Sequence, residues 1–232
     1  MAVNFSEGIF KYTTIPDSKT AKIGNAIDKE TCNSGILDVN YSHPVKIPEY
    51  AYHDNVKYEI VEIGISAFRY CRYIPKVTIP PTIITINYWA FDWLISCKEF
   101  VFLPGSKLTT IVSGAFSRCY SITTLVLPNT VRSISDYGLA YLGSLKTLYI
   151  CGNPSISEDI FWDTVKDEGD VVAPSDLQIY VPFEFTGTST YRNFTKTYFN
   201  KVCDFTIKCK TCFDCTLDLH LATLFTIIFI SV

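Results

Sequence analysis

Basic clusters, histidines and catalytic signatures are what this chain has least of. Its 20 Lys and Arg are outnumbered by 23 Asp and Glu, and no Lys/Arg run exceeds two residues. The cation row that would neutralise a phosphate backbone is absent, so nucleic acid is not an expected partner. Histidine occurs only at His43, His53 and His220. No Gly-x-Ser-x-Gly, His-Glu-x-x-His or phosphate-loop pattern is present. No catalytic residue is therefore nominated, and an enzyme is not expected. The N-terminal Met1-Ala2-Val3-Asn4-Phe5-Ser6-Glu7 has no basic stretch followed by an apolar one, so no standard secretion signal is read there. Methionine occurs once, whereas Tyr occurs 15 times and Phe 16 times. That balance, with 48% hydrophobic and 19% charged residues, points to a folded, β-rich chain.

What is present is a repeat. Ala67-Phe68, Ala90-Phe91 and Ala115-Phe116 are copies of one motif, and Gly138-Leu139 is a degenerate fourth. The spacings are 23, 25 and 23 residues, and Pro80, Pro104 and Pro128 run in step, each 24 apart. Aligned on these marks, one copy reads Ala-Phe-x-x-(Cys/Leu)-x-x-apolar-x-x-apolar-x-apolar-Pro-x-x-apolar-x-x-apolar. Ala115, Phe116, Cys119, Ile122, Leu125, Leu127, Pro128, Val131 and Ile134 fill it in full. The second copy carries one extra residue before its proline and one after, which accounts for its 25. The apolar-x-apolar-Pro segment is a two-period strand closed by proline. One such rung cannot bury its own apolar face, but stacked rungs with parallel strands can. The expected buried residues are Phe68, Phe91, Phe116, Leu125 and Leu127.

Ile63-Gly64-Ile65-Ser66-Ala67-Phe68 with Cys71, and Leu125-Val126-Leu127-Pro128, resemble the BspA-like class of leucine-rich repeats across residues 45–182. The resemblance implies a β-rich solenoid of about 23-residue rungs, with short parallel strands and short helical turns. It also implies a surface-displayed binding module, acting in adhesion or as a surface antigen, at the cell surface or outside the cell. Host or cell-surface proteins are then the partners. The unread secretion signal favours the alternative, a cytoplasmic scaffold of the same fold. A thiol- or metal-dependent enzyme is the least favoured reading.

The flanks differ from the repeat. Residues 1–44 are expected to form a β-hairpin cap over the first rung, because an uncovered end is an open sheet edge. Residues 183–232 form a cysteine-containing tail. Cys71 and Cys119 share a rung position two copies apart, roughly 9–10 Å at a rung rise of about 4.8 Å, beyond the reach of about 7 Å that a disulfide allows. They read as core side chains. Cys203, Cys209, Cys212 and Cys215 could ligate zinc or an iron–sulfur cluster, but the remaining ligands of such sites are missing. The acidic stretch of residues 163–170 lacks calcium-loop spacing. No metal or cofactor is expected. Residues 219–232 are apolar and shorter than the roughly 20 needed to span a bilayer as a helix. They leave open a membrane association, a C-terminal cap or a chance apolar end.

Period two places one outward residue between the two inward ones of each strand. These are Thr78, Val101, Val126, Tyr149 and Tyr180. Two residues earlier, on the same face, come Lys76, Glu99, Thr124, Thr147 and Gln178. Parallel stacking should align each set into a column along one sheet, and the aromatic end of the first is the expected protein-binding surface.

Overall fold

The computed structural model describes residues 1–25, 34–157, 159–161, 177–182, 185 and 199–201. The chain opens with an antiparallel meander of β1 (Asn4–Glu7), β2 (Phe10–Thr14) and β3 (Thr20–Ile23). Alternation sorts its faces: Phe10, Tyr12 and Thr14 point inward from β2, and Ala21 and Ile23 from β3. Next come β4 (Val45–Lys46) and a hairpin of β5 (Tyr50–His53) and β6 (Val56–Ile63). Strand β3 runs parallel to β6 and brings Ile23 beside Ile63, which fixes the meander on the first rung. At the seam the Gly64 N–H donates to the Ile23 carbonyl at 2.8 Å. A Cβ at Gly64 would stand 2.6 Å from that oxygen, so this approach requires glycine.

Each following rung supplies one four-residue and one two-residue strand. The pairs are β7 (Lys76–Ile79) with β8 (Thr85–Ile86), β9 (Glu99–Phe102) with β10 (Thr110–Ile111), β11 (Thr124–Leu127) with β12 (Ser133–Ile134), and β13 (Thr147–Ile150) with β14 (Ser155–Ile156). Strands β15 (Gln178–Val181) and β16 (Phe199–Lys201) follow. The two-residue strands stack parallel onto β6, so that Ile63, Ile86, Ile111, Ile134 and Ile156 form one isoleucine column.

The four-residue strands, with the shorter β4 and β16, make two sheets, β4-β7-β9 and β11-β13-β15-β16, and not the one continuous sheet expected. The break falls after β9, the strand whose inward positions are Phe100 and Phe102. The Phe100 ring is set edge-on against Phe91 and Phe116, with centroids 5.0 and 4.8 Å away. Val77 and Leu125 hold this position in the neighbouring rungs. A ring needs more room in its layer than either, and the long second rung belongs to the same place.

The arc that carries Ala-Phe is not helical, which corrects the expected short helical turns. Its amide donors alternate between two targets. Ala67, Arg69 and Cys71 donate to carbonyls three residues back, at 3.2, 3.2 and 3.1 Å. Between them, Ser66, Phe68 and Tyr70 donate to Tyr88, Ala90 and Asp92 of the next rung, at 2.8, 2.7 and 2.9 Å. A helix needs every donor for its own i−4 carbonyl; here alternate donors are committed to stacking. Left-handed residues also interrupt the arc: Ser66 and Tyr70, Trp89 and Trp93, Gly114 and Arg118, Tyr137 and Tyr141 all have φ between 51° and 69°. Ser66, Tyr70, Trp89, Trp93, Gly114 and Tyr137 occupy the third position of hydrogen-bonded turns, where positive φ is required in the type II form.

Inside, Phe68 stacks on Phe91 (centroids 5.3 Å, planes 16° apart) and Phe91 on Phe116 (5.6 Å, 23°). Leu139 is buried at the next equivalent position, and Leu125 and Leu127 are fully buried as well. Cys71, Cys97 and Cys119 are buried thiols outside any disulfide. Burial pushes the first two up to about 12 and the third well above its ordinary value.

Candidate functional site

Two faces carry aligned, half-buried side chains. On the strand face, Thr78, Val101, Val126, Tyr149 and Tyr180 are half-buried, with Lys76 and Glu99 among the side chains two residues earlier. Register pairs Thr78 with Val101 across β7 and β9, and aligns Val126, Tyr149 and Tyr180 across β11, β13 and β15. The sheet break therefore divides the expected column into two runs. Lys76 Nζ meets Glu99 Oε2 at 2.7 Å, an exposed pair whose worth is about 1 kcal/mol at most. The Tyr149 and Tyr180 rings are stacked, with centroids 4.9 Å apart and planes 15° from parallel. In-register parallel pairing places the two rings one strand spacing apart, which is stacking distance.

The turn face was not singled out from the sequence. Two residues after each core Phe or Leu stand Tyr70, Trp93, Arg118 and Tyr141, all half-buried and all with positive φ. The Arg118 guanidinium lies 5.6 Å from the Trp93 ring and 4.9 Å from the Tyr141 ring. Arg72 lies 5.3 Å from Trp93 and 5.7 Å from Tyr70, and Arg69 lies 4.3 Å from Trp89. Tyr120 meets Trp93 edge-on at 6.0 Å.

Beneath this cluster sits Asp92, whose side chain is 0% exposed. It accepts from Arg69 Nε at 3.1 Å and from Arg118 Nη1 at 2.9 Å, so one carboxylate clamps arginines from the rungs on either side. Burial raises the Asp92 carboxyl above its ordinary value, against the opposing pull of Arg118 and Arg69. The signal was present in the sequence: Tyr, Trp, Arg and Tyr recur in phase. It is missed when copies are aligned only on inward apolar positions.

Among the described residues no three His, Cys, Asp or Glu side chains gather as a metal site would require. No helix among them is long and apolar enough to cross a membrane. The acidic stretch of residues 163–170, the four tail cysteines and residues 219–232 lie outside the described residues.

Residues 45–166 match the family described as BspA type leucine rich repeat region, in six copies. That is two more than the four Ala-Phe arcs counted in the sequence. The match is to a repeat region and not to an enzyme family. No curated protein sequence matches the chain. Three solved structures are similar to it. A leucine-rich repeat protein from Bacteroides capillosus is 21% identical, with TM-score 0.49, over 63% of this chain and 96% of that one. A leucine rich cell surface protein from Faecalibacterium prausnitzii is 19% identical, with TM-score 0.46, over 77% of this chain and 54% of that one. The pneumococcal vaccine antigen PcpA is 16% identical, with TM-score 0.50, over 78% of this chain and 40% of that one. The chain thus spans about half or less of the latter two. A repeat match over more than half of 232 residues decides the assignment: the chain belongs to the BspA-type leucine-rich repeat family.

Proposed function

We propose that this chain is a non-catalytic protein-recognition module, its rungs stacked as a solenoid, displayed at a cell surface or outside the cell in adhesion or as a surface antigen. The observation that carries the reading is the stacked Tyr149–Tyr180 pair on an open parallel sheet. The two rings are large, amphipathic and held rigid by register, the character of a protein-binding anchor. Val126 extends the same run. Surface display draws support from the family and from PcpA, a vaccine antigen with a similar fold.

The test starts with capture of a partner from host-cell and matrix extracts by the full chain. The Tyr149→Ala/Tyr180→Ala double variant should keep its circular dichroism. It should lose at least about 2 kcal/mol of binding, roughly 30-fold in affinity. A folded double variant with unchanged affinity removes the strand face from consideration.

A further inference from the structure

We propose that the turn face centred on Arg72, Trp93 and Arg118 binds a carboxylate-rich segment of a protein partner. This surface is separate from the strand face. Three of the five arginines in the chain (Arg69, Arg72 and Arg118) and two of its three tryptophans (Trp89 and Trp93) converge here from adjacent rungs. Tyr, Trp and Arg are the residues that dominate protein-binding hot spots.

The chemistry of the occupant follows from the charges. Arg72 is exposed, and no carboxylate among the described residues lies within ion-pair distance of it. Arg118 uses Nη1 on Asp92, and its side chain remains 29% exposed. A guanidinium carries five N–H donors in a rigid plane matched to a carboxylate. With Arg69, Arg72 and Arg118 set against Asp92, the cluster holds two surplus positive charges in a chain whose net charge is −3. Both open guanidiniums lie within 6 Å of the Trp93 ring. They are therefore partly ordered before a ligand arrives, which lowers the entropic cost of binding. A nucleic-acid backbone would call for a longer row of cations. Two open guanidiniums framed by Tyr70, Trp93, Tyr120 and Tyr141 suit an acidic peptide with interspersed aromatic or apolar side chains.

The test uses the full chain and a short fluorescent peptide of alternating Glu and Tyr, read by anisotropy. A Lys–Tyr peptide of equal length and a heparin arm complete it. The Glu–Tyr peptide should bind and the Lys–Tyr peptide should not, and added salt should weaken the complex. Arg72→Ala should weaken binding tenfold or more. Arg72→Lys should fall between wild type and Arg72→Ala, because lysine keeps the charge but loses the planar fork of donors that matches a carboxylate. Tyr52→Ala, an exposed aromatic on β5, should change nothing. Circular dichroism checks each variant, and Arg72→Gln replaces Arg72→Ala should the latter misfold. The proposal is overturned by equal affinity of wild type and Arg72→Ala. It is equally overturned if the Glu–Tyr peptide does not bind, or if heparin binds through Arg72 and the peptide does not.

Discussion

Replacing Phe116 by Ala tests the stacking register where it is most consequential. Phe116 is fully buried, stacked on Phe91 at 5.6 Å and met edge-on by Phe100 at 4.8 Å. Truncation of a buried Phe costs about 3–5 kcal/mol, from lost burial plus the cavity left behind. Here two aromatic contacts go as well, each worth roughly 0.5–1.5 kcal/mol beyond its area. The expected loss therefore lies in the upper part of that range, about 4–5 kcal/mol. Neighbouring backbone is tied to the adjacent rung by the Phe116 N–H, which donates to the Gly138 carbonyl at 3.0 Å, so collapse into the cavity is limited. For a domain of this size, each kcal/mol corresponds to roughly 2–4 °C in melting temperature, giving a fall of about 8–20 °C. Urea denaturation followed by circular dichroism measures the free energy, and calorimetry the melting shift. Phe116→Leu is the internal control. Leu139 occupies the equivalent place one rung on, so that variant should lose about 1–1.5 kcal/mol. A loss below about 1 kcal/mol in Phe116→Ala would refute the register.

Three further outcomes are expected. Burial raises the Asp92 carboxyl, so the folded state holds its proton to higher pH than the unfolded one. The stability difference between wild type and Asp92→Asn should consequently fall as pH rises through the window above the ordinary Asp value. A difference that grows with pH would show that the two arginines outweigh burial. Thr82 is buried with no hydrogen-bond partner for its hydroxyl, so Thr82→Val should stabilise the protein by about 1 kcal/mol in chemical denaturation; a loss of stability would reveal a partner for that oxygen. Cys71, Cys97 and Cys119 should resist maleimide labelling at neutral pH until the chain unfolds, because they are buried and held as thiols. Rapid labelling of the native protein would contradict their placement.

The strands were legible because period two and the terminal prolines are local signals. Leu125, Leu127 and Pro128 mark β11 without reference to any other rung. The Ala-Phe arc was not, because its hydrogen bonding is settled between rungs. Nothing local in Ser66-Ala67-Phe68-Arg69-Tyr70 announces that alternate amides donate to Tyr88, Ala90 and Asp92. Of the eight left-handed positions in the arcs, only Gly114 is a residue that ordinarily signals positive φ. The sheet break had a local trace in the 25-residue spacing, and it falls at the rung whose Phe100 ring stands edge-on against both Phe91 and Phe116. Asp92 was hidden for a similar reason: alone it is an acid beside a core Phe, and only stacking places it between Arg69 and Arg118.

Gly114 shows how closely the turn face is packed from rung to rung. Ser66, Trp89 and Tyr137 take the same left-handed conformation at the equivalent position, so backbone geometry alone does not require glycine there. Space does. A Cβ at Gly114 would run into the Trp89 indole, which comes from the rung before. The same indole is covered from the other side of the stack by Arg69, whose guanidinium lies 4.3 Å from it. Three successive rungs thus contribute an arginine, a tryptophan and the absence of a side chain to one column. Arg69 is in turn fixed by the carboxylate that also fixes Arg118. The inward positions stay apolar in every copy, even where their size changes from Val77 to Phe100 to Leu125, because each must fill the core. The departures in the outward arc are fitted to one another across rungs, and the proposed carboxylate-binding surface rests on them.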